Sequence, residues 1–207
     1  MTNTIKSPFF VIKEFMSPMR CEDLVDTVNF MTPNVDKDGF GALTTRTNEQ
    51  AEQIIYERFL QFLPQIEQYY GVKYKGMERV QFEWCPPNAN VQPHAENSSF
   101  LRGKWLRTKQ RDLSAVLFLS DYQESAQFDH EFEVYGGKLE FPQHKFGFNA
   151  QRGTLVVFPS DPHFINLTTK VLVGDLYQAR LQVALQDMLV YNPAQYPGNY
   201  TKWFTDL

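Results

Sequence analysis

Residues 80–96 read Val80-Gln-Phe-Glu-Trp-Cys-Pro-Pro-Asn-Ala-Asn-Val-Gln-Pro-His-Ala-Glu96. The first six residues alternate between apolar and polar side chains, which predicts a strand with one buried face. A Pro-Pro-Asn turn follows, and a second strand is predicted to carry His94. Because side chains two apart on a strand point to the same side, His94 and Glu96 are expected to share a face.

Strand patterns continue through most of the chain beyond residue 77. Apolar or alternating runs occupy residues 113–119, 134–141, 154–158, 170–173 and 176–185, and Gly and Pro mark several turns between them. Many short strands with such turns are typical of a sandwich or barrel. The pattern favours the jelly-roll class.

Helix patterns come before residue 77. Ser17-Pro18 predicts a helix start, with the helix running to about Met31, and Thr47-Asn-Glu-Gln50 has the form of a capping box. The second helix is expected to stop at Tyr70-Gly71, with Pro64 kinking or splitting it. Each helix has one apolar stripe, so both are expected to lie against the outside of a sheet.

These patterns predict one mostly β domain with a helical buttress (α+β), built as a jelly roll. Residues 1–76 would supply a strand and the helices, 77–187 the jelly-roll core and 188–207 a C-terminal tail. The length of 207 residues fits a single domain.

Composition narrows the class of protein. A hydrophobic content of 43% with 15% aromatic residues is typical of a globular chain, and a net charge of −4 argues against nucleic-acid binding. Cys21 and Cys85 lie far apart, so neither a disulfide framework nor a zinc site is predicted. No signal peptide and no run of about 20 apolar residues is present, so a soluble, cytoplasmic protein without a membrane partner is expected.

His94 and Glu96 provide two of the three ligands of a facial triad, in which two histidines and one carboxylate bind Fe(II). A His-x-Glu pair alone is a weak signal. The chain contains four histidines, and His163 follows an apolar strand that ends in a Pro-containing turn. His163 is therefore a candidate for the third ligand; His130 and His144 are the other two histidines.

The order of motifs resembles the Fe(II)/2-oxoglutarate-dependent dioxygenases of the prolyl 4-hydroxylase type, and this resemblance implies a double-stranded β-helix (jelly-roll) core. That family has a His-x-Asp or His-x-Glu segment, a Gly-Gly-x-Leu strand, a Gly-x-Leu-Val-x-Phe-Pro-Ser strand and a distal histidine. The matching segments are His94-Ala-Glu96, Gly136-Gly-Lys-Leu-Glu-Phe141, Arg152-Gly-Thr-Leu-Val-Val-Phe-Pro-Ser160 and His163.

The resemblance implies a set of roles. His94, Glu96 and His163 would bind Fe(II), and Arg180 would bind the distal carboxylate of the co-substrate 2-oxoglutarate, with Lys170 as the alternative. Ascorbate would be an accessory reductant. The implied reaction is hydroxylation of an unactivated C–H bond in a prolyl or other peptidyl side chain or in a small molecule.

The sequence departs from that family at three places. Glu96 replaces the commoner aspartate, Cys85 occupies a position where a tyrosine often helps to hold the co-substrate, and Arg180 lies further beyond His163 than the usual basic residue. The insertion at 97–120 is similar to insertions in bacteriophage members of the family.

Two other functions remain open at this point. One is a structural or adaptor protein, such as a virion component, that reuses the jelly roll with a vestigial metal site; the other is a non-oxidative, cupin-like metal binder. A protein partner would contact the 188–207 tail or the basic 98–112 loop. A structural role would place the protein in the virion rather than free in the cytoplasm.

Overall fold

The fold is described by a computed structural model that covers residues 7–30, 43–127 and 131–189. His130 and nearly all of the tail lie outside these residues, as do Gly39 and Gly41, the two glycines at which a loop is expected after the first helix. The helices are α1 (Pro18–Val28) and α2 (Glu49–Tyr70). The strands are β1 (Phe10–Ile12), β2 (Thr44–Arg46), β3 (Tyr74–Met77), β4 (Gln81–Cys85), β5 (Val91–His94), β6 (Ser98–Leu101), β7 (Lys104–Arg107), β8 (Leu113–Phe118), β9 (Asp121–Tyr122), β10 (Glu133–Gly136), β11 (Leu139–Phe141), β12 (Phe146–Phe148), β13 (Leu155–Pro159), β14 (Asn166–Thr168), β15 (Val171–Gly174) and β16 (Leu176–Leu185).

Helix α1 starts where the sequence predicts and ends earlier. The side chain of Ser17 accepts a hydrogen bond from the backbone N–H of Arg20, and Pro18 is the first helical residue. The helix ends at Val28 and not near Met31, because Asn29 adopts a left-handed conformation with φ 48°.

Helix α2 is capped by Asn48, whose side chain accepts from the N–H of Ala51, so the predicted box starting at Thr47 begins one residue too early. Pro64 lies inside the helix without ending it. Phe59 and Ile66, which are buried on either side of the proline, hold the two halves of the helix against the sheet. Tertiary packing therefore outweighs the tendency of proline to break a helix. The stop at Gly71 is confirmed.

The main sheet has the order β1-β13-β8-β16-β4-β2, and β3 pairs with the far end of β16. Smaller sheets have the orders β12-β11-β14-β5 and β15-β10-β9, and β6 and β7 form a separate hairpin. This arrangement confirms the predicted mostly β jelly roll. Because β1 and β2 come from the first 76 residues, that part of the chain contributes to the sheet as well as covering it.

Alternation along the strands divides the molecule into two cores. On β8, Leu113, Ala115 and Leu117 pack with the helices, as do Ala179, Leu181 and Val183 on β16. The opposite face of β8 presents Val116 and Phe118 to the second core, where they meet aromatic residues of the smaller sheets. The helices therefore cover the outside of the main sheet, as expected.

The inward face of β16 is polar. Gln178, Arg180 and Gln182 are buried on the side away from the helices. Buried polar groups need partners, and the partners of these three side chains form the candidate site. Neither helix in the described part of the chain has the length and apolar character required to cross a membrane.

Candidate metal and co-substrate site

His94 and Glu96 lie side by side at the end of β5. His94 Nε2 is 3.0 Å from Glu96 Oε1, and the His94 side chain is 36% exposed while that of Glu96 is 4% exposed. His94 Nδ1 is 2.9 Å from the carbonyl oxygen of Gln92. The predicted shared face is confirmed, with the imidazole at the opening and the carboxylate inside.

Four side chains form hydrogen bonds with the carboxylate of Glu96, and a fifth, Arg111, places its Nη1 3.6 Å from Oε2. Oε1 is also 2.8 Å from Arg180 Nη1 and 3.3 Å from Asn166 Nδ2, and Oε2 is 2.8 Å from Gln182 Nε2. A buried carboxylate requires this degree of hydrogen bonding to stay ionised. The carboxylate is therefore held in a fixed orientation.

Arg180 bridges two buried carboxylates. Its Nε donates to Glu83 Oε2 at 2.8 Å and its Nη1 donates to Glu96 Oε1 at 2.8 Å, and the arginine side chain is 4% exposed. Within the described residues, the buried Nη2 has no hydrogen-bond partner. One terminal nitrogen of the guanidinium is thus available to an anionic or carbonyl oxygen, whereas Lys170, the alternative basic residue, is exposed.

Charge coupling sets the ionisation of the site. Burial disfavours the charged forms of His94 and Glu96. The hydrogen bond between the two side chains outweighs this effect and raises the pKa of His94. The same bond, together with the positive charge of Arg180, lowers the pKa of Glu96. Burial also opposes the charge of Arg180, but Glu83 and Glu96 raise its pKa above the ordinary value. The site is therefore a buried cluster of charged side chains.

His163 does not join this cluster. It lies in a 3-10 turn (Pro162–Phe164), its Nδ1 is 2.7 Å from Asp161 Oδ1, and its side chain is 57% exposed. Among residues 7–30, 43–127 and 131–189, no three His, Cys, Asp or Glu side chains come close enough together to hold a metal ion. The expected trio is not assembled, and a role for His163 as a ligand stays a prediction.

Cys85 is buried near this cluster. Burial raises the pKa of its thiol to about 12, against a weaker lowering effect of Arg180. A neutral, buried thiol is a weak hydrogen-bond donor. Cys85 therefore does not replace the hydroxyl that a tyrosine would supply.

Several side chains that bind Glu96 or Arg180 were not predicted from the sequence. Glu83 could have been found from the alternation in β4, and Gln182 from its position on the same face as Arg180. Asn166 gave no sequence signal. Arg111, grouped in the sequence with the basic loop, is buried and binds Glu78 at 2.6 and 2.8 Å.

The exposed part of the basic loop is the β6–β7 hairpin. Phe100 and Trp105 face each other across it with ring centroids 5.3 Å apart, and Leu101 and Leu106 are also exposed. Nearby basic side chains give the hairpin a mixed apolar and cationic surface.

The structure is similar to solved oxygenases over most of its length. The viral collagen prolyl hydroxylase of Paramecium bursaria Chlorella virus-1, in its 2-oxoglutarate complex, matches with a TM-score of 0.61 and 17% identity over 87% of this chain and 97% of that chain. The chain has the jelly-roll fold of the 2-oxoglutarate oxygenases. A Pseudomonas putida prolyl-4-hydroxylase matches with a TM-score of 0.59 and 15% identity over 90% of this chain and 100% of the other.

A third oxygenase in this fold class is HygX from Streptomyces hygroscopicus, solved with nickel and 2-oxoglutarate bound. It matches with a TM-score of 0.59 and 12% identity over 90% of this chain and 86% of HygX. No protein-family model and no curated protein matches the sequence. The resemblance seen in the motif order is thus confirmed as a resemblance of oxygenase fold.

Proposed function

We propose that this protein is an Fe(II)- and 2-oxoglutarate-dependent oxygenase that hydroxylates an unactivated C–H bond. In that reaction, dioxygen oxidises 2-oxoglutarate to succinate and carbon dioxide and supplies the oxygen atom of the new hydroxyl group. The metal and its co-substrate supply the oxidising chemistry, and the protein supplies binding and orientation.

One observation carries the proposal: a His–carboxylate pair lies beside a buried arginine that has one nitrogen, Nη2, without a partner among the described residues. His94 Nε2 and Glu96 Oε1, 3.0 Å apart, are both potential ligands of a divalent cation. Arg180 Nη2 is buried and, in the described part of the chain, has no acceptor. A carboxylate of 2-oxoglutarate is an acceptor that an arginine binds well.

Each residue of the cluster has a proposed task. His94 and Glu96 would hold the cation, and Arg180 would hold the co-substrate. Gln182, at 2.8 Å from Glu96 Oε2, keeps the carboxylate in place. The opening beside His94, which is the exposed member of the pair, is the side from which a peptide or small-molecule substrate would approach.

Anaerobic titration with Fe(II) and 2-oxoglutarate tests the proposal. Chelation of the keto acid to the metal gives a visible charge-transfer band, which is expected in the wild type and absent in His94→Ala. Lys170→Ala, which removes the exposed alternative lysine, is the matched control and is expected to keep the band. A wild type that retains neither metal nor band contradicts the proposal.

The second candidate function is a structural or adaptor protein with a vestigial site. The observation that favours it is the saturation of Glu96: His94, Asn166, Arg180 and Gln182 already bind its two oxygens. A site satisfied in this way does not need a metal in order to fold. Under this alternative, the exposed β6–β7 hairpin would contact a partner protein.

Thermal unfolding separates the two candidates. An oxygenase site is stabilised by ligands that bind only the folded state, so the melting temperature should rise with Mn²⁺ and 2-oxoglutarate. A vestigial site predicts no change on adding them or on adding a chelator.

A further inference from the structure

The barrel has an open seam between two edge strands. Strand β1 ends the main sheet and β12 ends the four-stranded sheet, and the two strands do not pair with each other. Phe9 closes part of this seam, because its ring centroid lies 5.6 Å from that of Phe146 and 5.5 Å from that of Phe148. Next to this contact is a cleft of about 310 Å³. Small-molecule sites have volumes of roughly 300–1,000 Å³, so the cleft is large enough for a small ligand.

The apolar part of the cleft is mainly aromatic. Phe146 and Phe148 are half-buried, and their ring centroids are 4.7 Å apart at an interplanar angle of 89°. Phe118, which is buried, also lines the cleft, together with Val11 and Val156. Aromatic side chains supply a large contact area and pair well with another ring. This surface therefore suits the flat apolar body of a ligand.

Three lysines line the same cleft. Lys13 follows β1, Lys138 precedes β11 and Lys145 precedes β12, so the cations come from different parts of the chain. The described residues that line the cleft include no aspartate or glutamate. Within residues 7–30, 43–127 and 131–189, none of the three lysines forms an ion pair, in contrast to Lys73, which binds Glu67. Three uncompensated positive charges therefore lie beside an aromatic surface.

The backbone positions two of these lysines. The N–H of Lys138 donates to Thr169 Oγ1 at 2.8 Å, and its carbonyl oxygen accepts from the N–H of Thr169 at 2.9 Å. The Lys138 side chain passes over Gly147, where an added Cβ would lie 2.9 Å from Cε. Glu140 also approaches Gly147, but it does not line the cleft. Lys145 has φ 50°, a left-handed conformation that glycine adopts more readily than lysine.

We propose that this cleft binds a small aromatic phosphate, of the size of a mononucleotide or an aryl phosphate. A phosphate monoester carries about two negative charges at neutral pH, which matches several lysines better than a single carboxylate does. The ammonium groups would bind the phosphate as point charges. The aromatic surface would contact the ring, and the side chains of Asn149 and Gln151, which also line the cleft, would offer hydrogen bonds.

The cleft is separate from the His94–Glu96 site. Both sites adjoin β8, but at different ends of the strand. Phe118 lines the cleft, whereas Ser114 donates to Gln182 Oε1 at 2.6 Å, and Gln182 binds Glu96. Four residues of an extended strand span roughly 13 Å. Binding in the cleft therefore requires neither the metal nor the co-substrate of the proposed oxygenase.

Calorimetric titration of the full chain without added metal tests the proposal. Adenosine monophosphate and phenyl phosphate are the probes, and adenosine and inorganic phosphate are the controls for the ring alone and the anion alone. We expect at least one probe to bind at millimolar concentration or below, and both controls to bind at least tenfold more weakly than that probe.

Lysine variants assign the binding to the cleft. Lys13→Gln, Lys138→Gln and Lys145→Gln should each weaken binding of the probe about fivefold, the effect of losing one cation close to an anion in water-rich surroundings. Lys75→Gln is the matched control, because Lys75 is exposed and does not line the cleft. Lys145→Gly should weaken binding to the same extent without lowering the melting temperature, since glycine relieves the left-handed conformation.

Three results would each overturn the proposal. The first is that neither probe binds. The second is that inorganic phosphate binds as tightly as the probes, which would show an adventitious ion only. The third is that all three glutamine variants keep the affinity of the wild type. None of these results affects the oxygenase proposal, because the titration contains no metal and no 2-oxoglutarate.

Discussion

Arg180 Nη1 lies 2.8 Å from Glu96 Oε1 in the interior of the barrel, where each side chain is 4% exposed. The same guanidinium binds Glu83. Removing it, as in Arg180→Met, leaves Glu83 without its counter-charge and leaves Glu96 with only His94 and the more distant Arg111, whose Nη1 is 3.6 Å from Glu96 Oε2. We expect a loss of about 3–5 kcal/mol in the free energy of unfolding, measured by urea denaturation.

Arg79→Met is the matched control. Arg79 pairs with Glu52 at 3.0 Å but its side chain is 55% exposed, and exposed ion pairs contribute less than about 1 kcal/mol. A similarly small loss in Arg180→Met would show that the cluster does not depend on the arginine.

Gly153 packs closely against the backbone of Met16, just before helix α1. It has φ +83°, and a Cβ there would lie 2.0 Å from the carbonyl oxygen of Met16. We expect Gly153→Ala to lower the free energy of unfolding by at least about 2 kcal/mol, because backbone and not a flexible side chain must move. Gly76→Ala, where a Cβ meets nothing within 4 Å, is the control and should be neutral or stabilising by up to about 1 kcal/mol. Equal effects at the two positions would contradict this account.

Asp175 predicts an unusual pH dependence of stability. Burial raises the pKa of its carboxyl group, against the opposing hydrogen bond from Trp84 Nε1 at 2.7 Å. A raised folded-state pKa means that the unfolded chain ionises first, so stability falls as pH rises from the ordinary aspartate pKa of about 3.9 to the folded value.

Asp175→Asn keeps an acceptor for Trp84 and removes the ionisation. The variant should be more stable than the wild type at pH 7, with the difference disappearing near pH 3, as measured by urea unfolding at both pH values. A variant less stable than the wild type at pH 7 would refute the assignment. Asp23→Asn, at an exposed position on α1, controls for charge removal.

The β6–β7 hairpin should be dispensable for folding. Phe100 and Trp105 contact each other, and the larger part of Phe100 is exposed. We expect Phe100→Ser/Trp105→Ser to change the free energy of unfolding by less than about 1 kcal/mol, since surface cross-strand pairs contribute little. A loss above about 2 kcal/mol would mean that the hairpin belongs to the core. Phe141→Ser, in the fully buried second core, should show such a loss.

The sequence was sufficient for the two helices and for the longer strands, such as β4, β8, β13 and β16, but it missed short strands, such as β2, β6, β7 and β14. Alternation in β4 and β16 and the caps at Ser17 and Gly71 are local signals, because they depend on side-chain periodicity and on backbone conformations within a few residues. For the same reason, the shared face of His94 and Glu96 followed from their spacing. Helix ends were less well predicted, since the left-handed residue at Asn29 has no strong sequence signature.

Tertiary structure alone decided which side chains meet. His163 has the expected motif position, yet the turn at Asp161 directs it outwards, and register between β5 and β14 places Asn166 opposite His94. Register between strands distant in sequence depends on packing of the whole sheet, and a shift of one residue reverses every face. The sequence by itself therefore determined the fold class and the His94–Glu96 pair, whereas the Glu83–Arg180–Glu96 cluster came from long-range pairing that no local pattern encodes.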